Sequence, residues 1–496
     1  MPAPSLPGPG ARLLSAIGRS FGFCRAAPLP APEEPIRAEL FSIERLEQHA
    51  ESLAAAQHAL SKPATGRRLE ARLRDNDRAL RSAYHKTIVA VREDRTITPA
   101  ADWLVDNFHV IEEQVREIRI DLPPGYHRQL PKLIGGPLAG YPRVFGLAWA
   151  FVAHTDSRFD PQMLGRFVRA YQRVQPLTIG ELWAVAITLR VVLVENLRRL
   201  AEDIVNCEAA RQEANALADR LLGVGSLDAV PADAELRRFG APLPAAFAVQ
   251  LVQRLRDQDP KVMTALQWLD DRLAAQGTTA DTIVQAEHQR EGAANVTIRN
   301  IITSMRLMSA IDWRVWFEGV SLVDAALRAG SDFAALDFPT RDLYRRMIEK
   351  LARGSHHSEL EVTRLALQAA TRAEDEAGPQ GEALMARRRD PGYYLIAKGR
   401  PAFEAALGFR PTIKGRLIRA NTALGISGYL GVVTLFTVAI TAAILAMVGV
   451  SAGSWPFWVL AALALVPASD AALALVNCGA MARFDAVSLP SLELLD

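Results

Sequence analysis

The chain has 496 residues, with 57 lysines and arginines against 55 aspartates and glutamates, for a formal net charge of +2. This balance excludes a strongly basic nucleic-acid binder and an acidic disordered protein. The length leaves room for several domains with sizeable cores. Three cysteines, Cys24, Cys207 and Cys478, lie far apart and cannot supply a disulfide framework to a chain of this length. Composition therefore indicates a cytosolic or membrane-associated protein.

Residues 1–38 are predicted to be a disordered, proline-rich tail. Eight of the first 35 residues are prolines, which a continuous helix cannot hold. The apolar stretch 13–17 is too short for a secretory signal and lies between Arg12 and Arg19. We expect a solvated tail; a short basic turn that touches a membrane surface is the alternative.

Helical spacing dominates the next 380 residues. Leu46, Leu53 and Leu60 recur every seven residues, and Thr98 followed by Pro99 predicts an N-cap with proline at the first helical position. No alternating run long enough for a sheet occurs, so we predict an all-α region with subdomains at 39–222 and 223–419. The further predicted helices and breaks, in chain order, are a helix over 69–84, one from 99 to about 123, a glycine- and proline-rich loop over 131–143, helices over 144–152, 163–171 and 179–201, a break over 223–244 and further helices to about 377.

The strongest physical signal is an uncharged stretch near the C-terminus. From Asn421 to Ser469 there is no Asp, Glu, Lys, Arg or His. A helix over 428–450 would be roughly 35 Å long, enough to cross the ~30 Å hydrocarbon core of a bilayer. A second span is predicted over 455–477. Together they form a transmembrane helical hairpin over 420–480, followed by a cytoplasmic tail over 481–496.

Charge predicts the orientation of this hairpin. Basic residues flank both ends, and none lies in the short link between the spans. By the positive-inside rule, both termini are predicted to be cytoplasmic and the link to lie outside. The flanking residues are Lys398, Arg400, Arg410, Lys414, Arg416 and Arg419 before the first span and Arg483 after the second.

Asp470 is the carboxylate within the second predicted span. A charge at mid-helix costs on the order of 2.5–3.5 kcal/mol on insertion scales, and less toward the interface. Two interpretations stay open: a functional intramembrane carboxylate that faces a partner helix or an aqueous path, or a residue that reaches the lipid headgroups. Pro467, three residues earlier, frees a backbone carbonyl nearby.

Candidates for metal or nucleophile chemistry are weak. The Asp-x-Asp triplets at 75–77 and 257–259 provide hard oxygen ligands for a divalent ion, but neither ends an apolar strand. His109 with Glu113, and His154 with Asp156, have spacings that metal or tautomer-fixing pairs use; both are more simply helix-surface or turn residues. The Gly-x-Ser-x-Gly match at 449–453 lies in the link between the spans, where no nucleophile elbow is expected.

Several short stretches, taken in order, are similar to the N-terminal region of bacterial cyclic β-1,2-glucan synthases. Each alone is weak, and the ordered set is specific. They are ITPAADWLVDNF at 97–108, IEEQ at 111–114, DLPPGY at 121–126, GYPRV at 140–144, HTD at 154–156, FVRAYQ at 167–172, LTIGELWA at 177–184, NIITSMR at 300–306, DW at 312–313, DF at 337–338, TRDLYR at 340–345 and GYYLI at 392–396.

The resemblance implies a part of a very large inner-membrane protein. In that family a helical cytosolic region precedes the first transmembrane pair, and a glycosyltransferase domain follows it. The family polymerises glucose from UDP-glucose into a protein-linked β-1,2 chain that is cyclised and delivered to the periplasm. This sequence ends about 20 residues after its second span, so we expect it to lack the catalytic domain, and with it the sites for UDP-glucose and a divalent metal. No catalytic residue is carried over.

Three functions are compatible with these observations. The first is a membrane-anchoring and scaffolding module of a glucan synthase system in the bacterial inner membrane. Its expected partners are the lipid bilayer and a separately encoded glycosyltransferase part, with no nucleic acid. The second is a membrane-anchored helical interaction protein with no glycan role. The third is a self-sufficient glycosyltransferase that uses one Asp-x-Asp triplet.

Overall fold

The computed structural model describes residues 33–60, 69–121, 129–222, 224, 242–256, 263–375, 387–449, 454–481 and 491–492. Several predicted features lie wholly or mostly outside these residues. They are the tail up to residue 32 with Cys24, residues 122–126 of DLPPGY, the break over 223–244, the triplet at 257–259, residues 450–453 of the link, and the C-terminal tail with Arg483. By its contacts the chain divides into two compact units, Met1–Trp316 and Phe317–Asp496.

The predicted all-α fold is confirmed in the part of the chain that the structure describes. That part contains 18 α-helices, one 3-10 helix at Asp332–Ala335, and one antiparallel pair of two-residue strands, β1 (Ala59–Leu60) and β2 (Lys132–Leu133). In the first unit the helices are α1 (Ile43–Ala56), α2 (Leu69–Arg92), α3 (Pro99–Asp106), α4 (Phe108–Asp121), α5 (Arg143–His154), α6 (Pro161–Val174), α7 (Ile179–Leu222), α8 (Ala245–Leu255), α9 (Met263–Ala275) and α10 (Ala280–Ala310).

The division between the units falls within α11 (Trp313–Val320). The remaining helices are α12 (Leu322–Gly330), α13 (Phe338–Gly354), α14 (Glu359–Asp375), α15 (Gly392–Leu395), α16 (Arg400–Ala406), α17 (Ile413–Val448) and α18 (Trp455–Met481).

Local sequence explains where several helices begin. Thr98 accepts a hydrogen bond from the Ala101 amide with Pro99 at the first helical position, as predicted. Helix α7 starts with a reciprocal capping box, because the Glu181 amide donates to Thr178 Oγ1 and the Thr178 amide donates to Glu181 Oε2. The single helix expected from residue 99 to about 123 is instead two, broken at Asn107, whose side chain donates to the Trp103 carbonyl.

The long loop predicted over 131–143 has an ordered backbone with its own hydrogen bonds. It contains β2, which pairs with β1 so that Ala59 lies opposite Leu133. Gly140 has a φ of +83°, and its amide donates to the Leu133 carbonyl at 2.9 Å. Because this conformation suits glycine, the loop closes tightly and delivers Arg143 to the start of α5.

The first unit is organised around α7, a helix of 44 residues that packs against α2, α5 and α8. Its first half is buried almost all round. Its second half contributes Leu217 and neighbouring alanines to a cluster with Phe247 of α8 and Leu269 of α9. Helix α7 therefore connects two parts of one hydrophobic core.

Two buried glutamates of α7 hold arginines from other helices. Glu181 accepts two hydrogen bonds from Arg143 of α5, at 2.9 and 2.7 Å. Glu195 accepts two from Arg72 of α2, at 2.9 and 2.6 Å, and one from Asn76 at 2.8 Å. Both glutamates are 0% exposed. A carboxylate removed from water needs such partners, so these pairs fix how α2 and α5 lie on α7.

The second unit has a similar buried charge. Arg345 of α13 is 0% exposed; its Nε donates to Asp324 of α12 at 3.0 Å and its Nη2 to Glu318 at 2.5 Å. The guanidinium group lies over the ring of Phe317 at 5.2 Å. Among the described residues its Nη1 has no hydrogen-bond partner, and the aromatic faces around it supply the compensating attraction.

The buried pair of Arg72 and Glu195 predicts a defined pH dependence. Burial opposes ionisation of Glu195, but its bonds to Arg72 and the charge of that guanidinium lower the pKa from 4.5 to about 2. The folded state therefore gains stability from ionised Glu195 above pH 4.5 and loses it as the pH falls toward 2. The gain at neutral pH is about 3 kcal/mol at most.

Glu195→Gln should lower the free energy of unfolding by up to this amount at pH 7 and much less at pH 3. Denaturant unfolding of the full chain in detergent, followed by circular dichroism, measures both values. Glu113→Gln, at a carboxylate that is 54% exposed on α4, is the matched control and should change neither. An equal destabilisation by Glu195→Gln at the two pH values would contradict the assignment.

Candidate functional site

The two C-terminal apolar helices pack against each other. Residues Ala423–Val448 of α17 and Trp455–Met481 of α18 are long and apolar enough to cross a membrane. At 1.5 Å per residue, each span is on the order of 40 Å long. The first span begins at Ala423, five residues before the predicted start at 428. The second ends at Met481, four residues after the predicted end at 477.

Small residues form the seam between the two helices. Ala464, Ala468 and Ala472 of α18 recur every four residues and are 9, 1 and 0% exposed. On α17, buried side chains with the same spacing are Thr437, Thr441 and Leu445. Small side chains at this spacing let two helix backbones approach closely, as in membrane helix pairs.

The outward faces of the pair are strongly apolar. Leu430 of α17 and Leu463 and Val466 of α18 are 56, 68 and 65% exposed. A continuous apolar surface of this kind is unfavourable in water and matches the hydrocarbon of a bilayer. The observations together support membrane association of this part of the chain.

Gly425 interrupts α17 close to the start of its apolar span. Its φ of +56° and ψ of −131° are not helical, and a side chain at this position would be strained. The break separates the basic residues of 413–424 from the apolar helix. Beyond it, Tyr429 donates a hydrogen bond to Asn477 Oδ1 at 2.8 Å and ties α17 to α18 near the same end.

Asp470 lies on the face of α18 that points away from α17. It is two residues from both Ala468 and Ala472, about 200° around the helix from each. Its side chain is exposed, and no hydrogen bond or ion pair involves it among the described residues. Eleven residues separate it from Met481, so it lies about 16 Å from the end of the helix, deeper than the ~10 Å expected for a helix that ends at 477. Both interpretations of this carboxylate remain predictions.

In the described residues, the candidates for metal binding or acid–base chemistry that are considered next bind other partners and do not meet in one site. Asp75 pairs with Arg78 at 3.2 Å, and Asp77 accepts from Arg119 at 2.6 Å on the surface of α2. His154 is bonded through Nδ1 to the Glu39 carbonyl at 2.8 Å, and its partner in sequence, Asp156, lies in a different set of contacts. Across the described ranges, no group of three His, Cys, Asp or Glu residues has the geometry to hold a metal ion.

A cavity of about 220 Å³ between α3, α7 and α10 brings ionisable groups together. It is lined in part by Cys207, whose Sγ accepts from Arg290 Nη2 at 2.7 Å, and by Asp203, which also binds Arg290. Burial and the Asp203 charge raise the pKa of the Cys207 thiol. The thiol is therefore protonated at neutral pH and is not an activated nucleophile.

Residues that contribute to the sequence resemblance meet in the first unit. Arg143 of GYPRV binds Glu181 of LTIGELWA. Asp156 of HTD accepts from Asn300 of NIITSMR at 3.2 Å. The Arg306 side chain of that same stretch donates to Asn107 of ITPAADWLVDNF at 2.7 Å. These stretches are distant in sequence, and their polar side chains bind one another.

The same holds in the second unit. Tyr344 of TRDLYR donates to Asp390 Oδ1 at 2.7 Å, and the Gly392 amide of GYYLI donates to the same oxygen at 2.5 Å. A Cβ at residue 392 would collide with the Tyr344 hydroxyl, so glycine is required there. Sequence reasoning missed these pairings because nothing local marks them. For the separate pair of Arg72 and Glu195 one signal was available, since Glu195 lies within the apolar run of α7.

No protein-family model matches the chain. The cyclic β-(1,2)-glucan synthase NdvB of Rhizobium meliloti (strain 1021) is 37% identical to it over 453 residues. The match covers 90% of this chain. The resemblance to the cyclic β-1,2-glucan synthases is confirmed. The matched stretch is 16% of that synthase, so the chain spans about one sixth of the length of its relative.

Asp470 is testable in a synthase that contains this chain in place of the matched stretch. If its carboxylate faces a partner helix or a wet path, Asp470→Leu should leave insertion intact, since it removes a polar group from the apolar span. It should lower periplasmic glucan about threefold, which corresponds to ~0.6 kcal/mol of lost interaction between helices. Asp470→Asn should fall between wild type and Leu. Equal glucan from all three at matched membrane levels would favour a carboxylate that only reaches headgroups.

Proposed function

We propose that this chain is a membrane-anchoring and scaffolding part of a cyclic β-1,2-glucan synthase system, which makes periplasmic glucan from UDP-glucose. The observation that supports this most is the 37% identity to such a synthase over 90% of the chain. This similarity weighs against the alternative of a membrane-anchored interaction protein with no glycan role. The apolar helix pair supports the anchoring half of the proposal.

The scaffolding half rests on the contacts made by residues of the stretches that carry the resemblance. Arg143, Glu181 and Asn107 make contacts within the protein that hold helices together. The two aspartates of the triplet at 75–77 are held in ion pairs, and Asn76 between them is buried and donates to Glu195. We propose that another part of the synthase transfers glucose, that UDP-glucose and a divalent metal bind there, and that this part, in the same or a separate chain, is the partner of this one.

We further propose a bacterial inner-membrane location with two spans and both flanks on the cytoplasmic side. The basic residues before Ala423 support this orientation. A second support comes from the segment after α18. Ser491 Oγ donates to Asp337 Oδ2 at 2.6 Å, and the Ser491 amide donates to Thr340 Oγ1 at 3.0 Å. The chain therefore returns to α13 after α18, which suits two spans that begin and end on one side.

Reporter fusions test this orientation. Alkaline phosphatase fused at Gly453, in the link, should be active because the link lies in the periplasm. The same enzyme fused after Asp496 should be inactive, while a fluorescent protein at that position should fold and fluoresce. Phosphatase activity from the C-terminal fusion would reject the proposed arrangement.

An activity measurement tests the proposal that another part of the synthase transfers glucose. The chain alone, purified in detergent, should incorporate no labelled glucose from UDP-glucose into acid-precipitable product. Phosphoryl-linked leaving groups need their charge neutralised by a metal or cations, and Asp75 is already paired with Arg78. Incorporation that is abolished by Asp75→Ala or Asp257→Ala would instead support a self-sufficient glycosyltransferase.

A further inference from the structure

A cleft of about 960 Å³ lies in the second unit, beside the start of α17. We call it the basal cleft. Its walls come from α13, α16 and the segment over 409–419. Six basic and two acidic residues line it, a formal excess of four positive charges. They are Arg346, Lys350, Arg353, Arg400, Arg410 and Arg419, with Glu349 and Glu404.

The two acids of the basal cleft are already bound by arginines. Glu404 accepts from Arg400 at 2.8 Å and from Arg419 at 2.7 and 2.9 Å. Burial opposes ionisation of Glu404, yet these bonds lower its pKa, so it stays ionised at neutral pH. Glu349 accepts from Arg353. Arg346 pairs with Asp342, which does not line the cleft, at 2.6 Å. The acids therefore position arginine side chains, and a smaller excess of positive charge remains in the cleft.

Two cations of the basal cleft have no acidic partner in the described part of the chain. No ion pair or side-chain hydrogen bond involves Lys350 or Arg410 there. Burial, followed by the charges of Arg400 and Arg419, lowers the pKa of the Lys350 ammonium, and the charge of Glu404 offsets this only in part. An anion that entered the cleft would relieve this repulsion.

The cleft is built by backbone contacts. The Arg410 amide donates to the Gly354 carbonyl at 2.8 Å, which fixes the segment before α17 against the end of α13. The Phe409 ring packs onto Gly354 so closely that a Cβ there would collide with it. Thr412 caps α17 by accepting from the Gly415 amide at 3.2 Å. The position of Arg410 is thus set by ordered structure on both sides.

The basal cleft is also next to the apolar span. Arg419 precedes Ala423, the first residue of that span, by four residues, which is on the order of 6 Å along a helix. The polar headgroup region adds roughly 5–7 Å to each side of the hydrocarbon core. If the pair of helices crosses the membrane, the Arg419 side of the basal cleft therefore lies at headgroup depth.

We propose that the basal cleft binds the phosphate group of an anionic phospholipid in the adjacent leaflet. This rests on the proposed insertion of α17 and α18. The volume lies within the ~300–1,000 Å³ typical of ligand sites, and arginine and lysine groups suit phosphate oxygens. Basic pockets beside membrane helices take lipid headgroups in this way. Free phosphate shares this chemistry, but only a lipid would also place acyl chains against the apolar span.

Native mass spectrometry of the full chain in detergent, titrated with phosphatidylglycerol, measures the binding. Lys350→Gln with Arg410→Gln should weaken phosphatidylglycerol binding at least tenfold without breaking an ion pair. The matched control, Arg364→Gln with Arg372→Gln, removes the same charge from α14 and should bind like wild type. Lys350→Arg with Arg410→Lys keeps the charge and should retain binding. Equal binding by the Gln pair and wild type would overturn the proposal.

Two further binding measurements show whether the bound phosphate group belongs to a lipid. Phosphatidylcholine should bind much more weakly than phosphatidylglycerol, and inorganic phosphate at millimolar concentration should not displace the lipid. Displacement by inorganic phosphate would assign the cleft to a free anion, and equal binding of both lipids would remove any role for its charge; either result overturns the proposal.

Insertion is measured separately, by resistance to carbonate extraction from vesicles of phosphatidylcholine alone. Extraction of the wild type would reject the anchoring function and this proposal with it. Retention in the membrane with unchanged phosphatidylglycerol binding by the Gln pair would reject only the basal cleft.

Discussion

The two buried glutamates of α7 set the arrangement of the first unit. Glu181 and Glu195 are fourteen residues apart, about four helical turns, so they lie on nearly the same side of α7. Each holds an arginine from a different helix, Arg143 or Arg72. Glu195 also accepts from Arg198 and Arg199, each at 3.0 Å. Removing all the partners of either glutamate would leave a buried charge uncompensated at a cost of about 3–5 kcal/mol. Helices α2 and α5 therefore have one favourable register on α7, and their loops follow from it.

The same logic extends to the stretches that resemble the cyclic β-1,2-glucan synthases. Asp156 has a positive φ of 49°, which is uncommon for a residue other than glycine, and it is held there by Thr297 and Asn300 of α10. Arg345 in the second unit is enclosed by Asp324 and three aromatic rings. Polar side chains used in this way determine structure. This use of polar side chains supports a scaffolding role.

Much of the fold was predictable because it depends on local patterns. Apolar spacing predicted the helices, Thr98 and Pro99 predicted a helix start, and the uncharged stretch predicted two spans. Helix ends were less predictable: α7 continues to Leu222 and α18 to Met481, because packing extends helices past the end of a periodic pattern. Gly425 is one of many glycines in the sequence, and nothing local distinguishes the one that breaks α17.

The partners of the buried charged residues could not be predicted from the sequence, for a different reason. Arg72 and Glu195 are 123 residues apart, and a pairing over such a distance leaves no periodic trace in one sequence. For Asp470 the sequence was informative and the structure adds less. Its position was evident from the sequence, and the structure adds that it points away from α17. What it faces depends on partners or lipid, which the chain by itself does not contain.

The proposed role is tested most directly by replacing the matched stretch of the Rhizobium meliloti synthase with this chain. Periplasmic cyclic β-1,2-glucan is then measured in cells that lack their own synthase. The account predicts that the chimera restores glucan, and that the same chimera without residues 423–481 makes none at matched expression. Failure of the inserted chimera to make glucan, or normal glucan from the version without the two spans, would contradict an anchoring and scaffolding function.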